Sequence, residues 1–168
     1  ASNKISKIIL KNKDKDFSTF LAVSMYMRAK ENNWPLLHAD IIVPVPNFGS
    51  NVGHVRDTKA ESIAKKLTRI INEERLDNDQ IAYQSVLKKL DDVSTKKIKE
   101  EKEKEKYFAE NQVFELDSKY KSFVDGKNVI LIDDVVTRGF SAERCMKELE
   151  KNGASKINFY ATATTRSY

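Results

Sequence analysis

Two adjacent carboxylates, Asp133 and Asp134, directly follow a run of apolar residues and precede a short loop with one glycine. The apolar run, residues 129–132, is typical of a strand buried on both faces of a parallel sheet. The loop leads to Ser141, which the pattern places at the start of an amphipathic helix. Backbone N–H groups and the helix dipole form an anion site there, and the carboxylates can accept hydrogen bonds from hydroxyls or hold a metal through water. A sugar phosphate satisfies both halves of this arrangement.

The segment from Val129 to Ser141 resembles the motif with which type I phosphoribosyltransferases bind 5-phosphoribosyl 1-diphosphate (PRPP). In that motif an apolar strand leads to two acidic residues, two apolar residues and a loop rich in threonine and glycine. The match extends over many more positions than a lone glycine pattern. The alternative is an ordinary strand, turn and helix in which the two aspartates only mark the end of the strand.

Strands separated by helices predict an α/β fold with a parallel, doubly wound sheet flanked by helices. The apolar patterns place strands at 5–10, 39–46, 81–87, 129–132 and 157–163, and helices at 16–32, 58–72 and 141–152. Ligands of such sheets bind at the carboxyl ends of the strands, which puts Pro46, Lys88 and Asp133 around one crevice. The 168 residues are enough for a single domain, residues 1–168, with a real core.

A segment rich in lysine and glutamate, residues 88–115, interrupts the apolar patterns. Residues 96–106 carry almost no apolar side chain, and Glu100 and Lys104 lie one helical turn apart. This pattern indicates a solvated, salt-bridged helix or a mobile arm inserted into the domain. Residues 113–116 are expected to close the insertion as a small strand.

Composition narrows the classes of function that the chain can have. The net charge of +5 suits an anionic ligand. The single cysteine, Cys145, excludes an internal disulfide framework and a cysteine-based zinc ribbon, and its place on a predicted helix favours a packed thiol over a nucleophile. No apolar run approaches membrane-spanning length and no signal-peptide pattern is visible, so a cytoplasmic location without membrane contact is expected.

Over most of its length the chain is similar to the ComF family of competence-associated phosphoribosyltransferases. The similarity rests on residues 8–11 before a helix, on residues 40–46 with their Pro-Val-Pro ending, on the basic middle segment, and on the loop at 133–141. The chain lacks the N-terminal cysteine-rich zinc module of many members. It also has Arg138 where the loop usually has a second threonine, and Phe140 where it usually has a small residue.

This resemblance implies a role for each part of the predicted site. Asp133 and Asp134 would bind the ribose hydroxyls of PRPP and help to seat Mg²⁺ indirectly, through water or through those hydroxyls. The 5-phosphate would lie on a loop that comprises Val135, Val136, Thr137, Arg138, Gly139, Phe140 and Ser141. The diphosphate would lie on a loop that comprises Pro46, Asn47, Phe48 and Gly49, with Arg56 as a neutralising cation. The Ser141 hydroxyl is equally suited to cap the helix.

The implied reaction is the displacement of diphosphate at the anomeric carbon by a nitrogen of a base or a related nucleophile. Metal and cationic side chains would stabilise the leaving diphosphate. Thr137 occupies the position where purine-salvage relatives have a proton-transferring aspartate, and it cannot act as a base at neutral pH. By analogy with orotate-type relatives, the lysine-rich arm is a candidate hood that closes over the site. Lys88 and Lys89, nearest the strand end, are the candidate catalytic lysines.

Two other functions stay open at this point. A regulator that binds PRPP without catalysis would accommodate the departures at Arg138 and Phe140. A nucleic-acid accessory protein would fit the basic net charge and the competence association, although the alternating lysines and glutamates of the arm nearly cancel and disfavour a phosphate-tracking surface. No motif specifies the nucleobase-like acceptor, and the sequence is compatible with a homodimer.

Overall fold

The computed structural model describes residues 17–47, 57–90 and 100–164. The strands are β1 (Ile41–Pro44), β2 (Ala82–Tyr83), β3 (Leu87–Lys89), β4 (Phe114–Leu116), β5 (Asn128–Val136) and β6 (Lys156–Thr164). Four of them form a parallel sheet in the order β2-β1-β5-β6, and β3 pairs with β4 in a separate antiparallel sheet. The predicted strand at residues 5–10 and the matched residues 8–11 lie outside the described residues.

Helices flank the parallel sheet. They are α1 (Ser18–Asn32), α2 (Lys59–Asn72), α3 (Glu101–Glu110), α4 (Lys121–Val124) and α5 (Phe140–Lys151), with short 3-10 turns at Pro35–His38, Asp77–Asp79 and Ser118–Tyr120. In the part of the chain that the structure describes, no helix is long and apolar enough to cross a bilayer. The predicted α/β class, with a parallel sheet between helices, is confirmed.

Strand β5 separates two apolar clusters because successive side chains of a strand point to opposite faces. Ile130 and Ile132 pack on the face that α1 and α2 cover. Val129 and Leu131 pack on the opposite face, against α5. Burial on both faces explains why this strand reads as an uninterrupted apolar run rather than as an alternation of apolar and polar residues.

Local hydrogen bonds fix where two of these elements begin. Helix α2 starts with a capping box, in which the Thr58 hydroxyl oxygen accepts from the Glu61 N–H at 3.2 Å and the Glu61 carboxylate accepts from the Thr58 N–H at 2.6 Å. At the start of β5, the Asn128 N–H donates to the Asp40 carboxylate at 2.7 Å. That bond aligns β5 with β1. The predicted strand at 129–132 and the predicted helix at 58–72 are thus both confirmed, with starts within one residue of those observed.

The prediction of one strand over residues 81–87 is wrong. The chain forms β2, which pairs with β1, and then β3, which pairs with β4 in the second sheet. Leu87 and Lys89 are buried on either side of the exposed Lys88, an alternation that fits a two-stranded sheet with one packed face. Lys88 and Lys89 therefore lie within an antiparallel strand and not beyond the end of a parallel one.

The arm contains the expected salt-bridged helix, α3, and also a core contact that the prediction lacked. Lys106 pairs with Glu110 at 3.8 Å on its surface. The predicted pair of Glu100 and Lys104 is not formed by their side chains, since only the Lys104 N–H bonds to the Glu100 carbonyl, at 3.1 Å. Phe108 is 1% exposed and belongs to the cluster on the α5 side of the sheet. Residues 91–99 lie outside the described residues.

Candidate functional site

The loop between β5 and α5 turns sharply at Gly139. Strand β5 continues to Val136, so the two aspartates lie inside the strand, and Asp133 pairs in register with Ala161 of β6. Gly139 has φ of 84°, a left-handed conformation that glycine adopts without steric cost, and it is the N-cap of α5. Ser141 is therefore the second residue of α5, and the expectation that its hydroxyl caps the helix is wrong.

The N-terminus of α5 has the properties of an anion site. No side chain from the described residues caps this end, and the first helical hydrogen bond runs from the Glu143 N–H to the Gly139 carbonyl at 2.8 Å. The N–H groups of residues 140–142 precede that bond and have no partner within the helix. Together with the positive end of the helix dipole, they can bind a negatively charged group.

The two carboxylates are held by the peptide groups that follow them. The Asp133 Oδ1 atom accepts from the Asp134 N–H at 2.8 Å, and the Asp134 Oδ1 atom accepts from the Val135 N–H at 2.8 Å. The Thr162 hydroxyl on β6 donates to the Asp134 carbonyl. These local bonds orient both side chains before any ligand binds.

The two carboxylates lie on different faces of β5. The alternation along the strand puts Asp133 on the α5 side and Asp134 on the side of α1 and α2. Consistent with this, the negative charge of Asp133 acts on Cys145 of α5, which is fully buried. Burial raises the pKa of the Cys145 thiol well above its usual range, and Asp133 raises it further. The expectation of a packed, unreactive thiol is confirmed as far as burial tests it.

A small cavity of about 60 Å³ lies at the start of α5. Its polar lining consists of Asp133, Thr137, Ser141 and Lys104, and its other lining residues are Val135, Val136, Gly139, Phe140 and Ala142. This volume is far below the roughly 300–1,000 Å³ of pockets that enclose drug-sized ligands, which suits a small anionic group rather than a whole nucleotide. The structure thus brings most of the predicted phosphate loop together with Asp133. Arg138 is exposed and is not among the lining residues.

A larger cavity of about 500 Å³ lies at the carboxyl end of β1. Pro46, Lys88 and Lys89 all line it, so these predicted site residues do meet, although at a different cavity from Asp133. The Lys88 ammonium lies 2.9 Å from the Asp117 carboxylate, and Lys119 lies 3.4 Å from the same carboxylate. The hydrogen bond from Lys88 is the main cause that lowers the pKa of Asp117. Lys89 is 8% exposed.

Part of the predicted site cannot be placed. Phe48, Gly49 and Arg56 lie outside the described residues, which end at Asn47 on this side of the loop. The diphosphate loop therefore stays a prediction.

The donor set at β5 suits a magnesium ion that takes most of its ligands from elsewhere. In residues 17–47, 57–90 and 100–164, no group of three or more histidine, cysteine or acidic side chains is arranged to hold a metal ion. Mg²⁺ usually keeps several waters and is bound through one or two carboxylates plus phosphate oxygens. Asp133, at the edge of the small cavity, fits that pattern as the single protein carboxylate.

Sequence reasoning did not single out Lys104, which lines the small cavity. Lys104 lies in a charged segment in which lysines and glutamates alternate, so its residue type did not distinguish it. The available signal was Phe108, a large aromatic side chain one helical turn further on, which indicates a packed face that includes Lys104.

Comparison with known proteins supports the fold more strongly than the function. No family model matches the chain. A segment of 41 residues is 46% identical to the amidophosphoribosyltransferase of Staphylococcus aureus, for example in strain Mu50. That segment is 24% of this chain and only 8% of the relative, so the chain spans a small part of the length of the curated relatives that it matches.

Solved structures give a wider match. One match is to a structure of the allosteric regulatory enzyme of purine biosynthesis, with a TM-score of 0.50 and 20% identity. The matched region is 88% of this chain and 25% of that enzyme's chain. Another match is to a purine phosphoribosyltransferase from Pyrococcus horikoshii, with a TM-score of 0.48 and 16% identity. The matched region is 86% of this chain and 69% of that protein's chain. At this level of identity the first likeness shows a shared fold alone, the type I phosphoribosyltransferase fold.

Proposed function

We propose that this chain binds PRPP with Mg²⁺ and transfers the 5-phosphoribosyl group to a base or related nucleophile, with release of diphosphate. One observation carries the proposal: Asp133 and the phosphate loop line a single small cavity at the N-terminus of α5. A carboxylate for sugar hydroxyls and a helix start for a phosphate are the two halves of a sugar-phosphate site. Within this class the chain resembles the ComF family, and the link to competence is part of the proposal.

The 5-phosphate would bind at the start of α5. Its oxygens would accept hydrogen bonds from the N–H groups of residues 140–142 and from the hydroxyls of Thr137 and Ser141, both of which line the cavity. Asp133 would accept a hydrogen bond from a ribose hydroxyl. Mg²⁺, when bound, would neutralise charge on the departing diphosphate, with Asp133 as its protein partner through water or a ribose hydroxyl.

The diphosphate end of the substrate would lie at the larger cavity, which Pro46 of the predicted diphosphate loop also lines. Lys88 and Lys89 line it and are the candidates for stabilising negative charge on the leaving group. Lys88 would have to exchange its contact with Asp117 for the substrate, because the two groups already lie 2.9 Å apart. The identity of the acceptor has no signature in the lining residues, which combine lysines, carboxylates and a tyrosine, Tyr120.

Isothermal titration with PRPP and Mg²⁺ tests the binding half of the proposal. The wild-type protein is compared with Asp133→Asn/Asp134→Asn and with a control of equal charge change, Asp77→Asn/Asp79→Asn. Asp77 and Asp79 are exposed and lie in a 3-10 turn that precedes β2. We expect wild-type and control proteins to bind alike and the site variant to lose at least tenfold in affinity, about 1.4 kcal/mol. A folded wild-type protein that does not bind PRPP would overturn the proposal.

A second measurement separates an enzyme from a regulator. With PRPP binding established, candidate bases are added and the release of diphosphate is followed. Release that depends on both the base and Mg²⁺ supports transfer. PRPP binding without release for any base would favour the regulator, for which the substitutions at Arg138 and Phe140 are the sequence argument.

A further inference from the structure

We infer that Lys104 of α3 is a ligand of the sugar 5-phosphate, a role that rests on the proposed binding of PRPP. Lys104 lines the small cavity together with Asp133, Thr137 and Ser141. Among the residues that line this cavity, all of them within the described ranges, Lys104 alone carries a positive charge. A phosphate at the start of α5 would therefore have this ammonium as its neighbour.

The position of Lys104 follows from an aromatic anchor one turn further along α3. Phe108 stacks on Phe140, with ring centroids 6.0 Å apart, and on Phe114 of β4, with centroids 6.4 Å apart. Residues four apart lie on the same face of a helix, so the buried Phe108 turns the face that carries Lys104 toward the loop. Phe140 is the first residue of α5, so the anchor packs against the phosphate loop itself.

The charge of Lys104 is available for a ligand. Within the described residues its ammonium forms no ion pair with a carboxylate, whereas Lys106 on the same helix pairs with Glu110 at 3.8 Å. Lys104 is half-buried, which leaves its charge less screened than that of a fully exposed lysine.

The same charge answers an electrostatic need of the cavity. Asp133 lines the cavity in which the phosphate would lie, and two negative groups in a small space repel each other. The Lys104 ammonium offsets that repulsion and adds charge-assisted hydrogen bonds to the phosphate oxygens. Lys104 is thus assigned to the phosphate end of the substrate, while Lys88 and Lys89 remain the candidates at the diphosphate end.

The test compares Lys104→Met with Lys106→Met, because both remove one charge from the same helix and Lys106 has a side chain that is 72% exposed. Each protein is titrated with PRPP and with ribose 5-phosphate, which shares only the 5-phosphate end. We expect Lys104→Met to weaken both ligands by about tenfold, Lys106→Met to stay within about twofold, and Lys104→Arg to recover most of the affinity. Thermal unfolding followed through Trp34 verifies that each variant is folded.

Each other outcome overturns a defined statement. If Lys104→Met binds both ligands as tightly as Lys106→Met does, this inference is wrong, while PRPP binding by the wild-type protein still supports the proposed function. If Lys104→Met weakens PRPP but not ribose 5-phosphate, Lys104 acts on the diphosphate, and the inference is again wrong. If the wild-type protein binds neither ligand, the proposed function fails first and this inference falls with it.

Discussion

Phe108 of α3 and Phe140 of α5 stack with their ring planes 26° apart and their centroids separated by 6.0 Å. Phe140 directly follows Gly139, the residue at which the candidate phosphate loop turns into α5. The contact therefore joins a helix in which seven of ten residues are lysine or glutamate to the loop that would hold the substrate. It also gives Phe140, a departure from the small residue usual in the resembled motif, a packing role.

Removing this aromatic anchor is expected to destabilise the protein. Phe108→Ala deletes a side chain that is 1% exposed, and buried Phe→Ala changes cost about 3–5 kcal/mol of unfolding free energy. Urea unfolding followed by the fluorescence of Trp34, the single tryptophan, measures the loss. Phe20→Ala is the control, because Phe20 is 64% exposed and its loss is expected to cost about 0.5 kcal/mol or less. Equal losses in the two variants would contradict the described burial of Phe108.

Substituting two glycines that share a left-handed backbone conformation separates an effect on stability from an effect on PRPP binding. Gly139 has φ of 84° and Gly126 has φ of 72°, and a Cβ at either position meets no heavy atom within 4 Å. Alanine at either site should therefore cost about 1–2 kcal/mol of stability through backbone strain alone. Only Gly139→Ala should also weaken PRPP binding, because Gly126 precedes β5 at the other end of the strand. Titration and urea unfolding of both variants decide this, and an equal loss of affinity would contradict it.

Asp133 and Asp134 are expected to contribute unequally to the affinity for PRPP. Asp133 lines the small cavity, whereas the alternation along β5 puts Asp134 on the opposite face. We expect Asp133→Asn to weaken PRPP binding by about tenfold, the loss of roughly one charge-assisted hydrogen bond, and Asp134→Asn to weaken it less. Titration of each single variant in the presence of Mg²⁺ measures the difference. A larger loss for Asp134→Asn would show that the ligand approaches from the other face.

The buried thiol gives a prediction about reactivity. Because burial raises the pKa of Cys145, almost none of it is thiolate in the folded protein, and the thiolate is the reactive form. Iodoacetamide at pH 8 should leave the folded protein unmodified by mass spectrometry and should add one group once urea unfolds it. Rapid modification without urea would contradict the burial of Cys145.

The same shift makes stability depend on pH in one direction. Below about pH 8.5, the usual pKa of a cysteine, the thiol is protonated in both states and contributes no dependence. Above it the unfolded chain releases a proton that the folded protein retains, so stability falls as pH rises. Between pH 8 and 9.5 the free energy of unfolding should fall by about 1 kcal/mol more in the wild-type protein than in Cys145→Ala.

The elements that local pattern determines were predictable from the sequence. Strand β5 was predicted from the apolar run at 129–132, because a strand that is buried on both faces is apolar at consecutive positions. Helix α2 was placed from its apolar pattern within one residue of its observed start at Lys59, and the capping box of Thr58 and Glu61 accounts for that start. The loop residues around Asp133 came together for the same reason, because they are contiguous in sequence.

What depends on distant partners could not be predicted. Leu87 is equally suited to extending β2, and its place in the second sheet is decided by its pairing with Leu116, more than twenty residues further on. Phe108 indicates that its face of α3 is packed, but its partner Phe140 lies on another helix, so the local pattern does not place Lys104 at the candidate site. Ser141 was misplaced because Gly139, with its left-handed backbone, is the N-cap, so that the helix begins at Phe140, one residue earlier than predicted.

The hydrogen bond between Asp40 and Asn128 joins residues 88 positions apart, and it implies an order of events during synthesis. At 5–20 residues per second, a ribosome needs roughly 4–18 s to add that much chain after β1 has been made. During that interval β1 lacks β5, the strand beside which it lies in the finished sheet. The growing chain therefore exposes the apolar residues of β1 during those seconds, and binding of a chaperone to the nascent chain is expected in that interval.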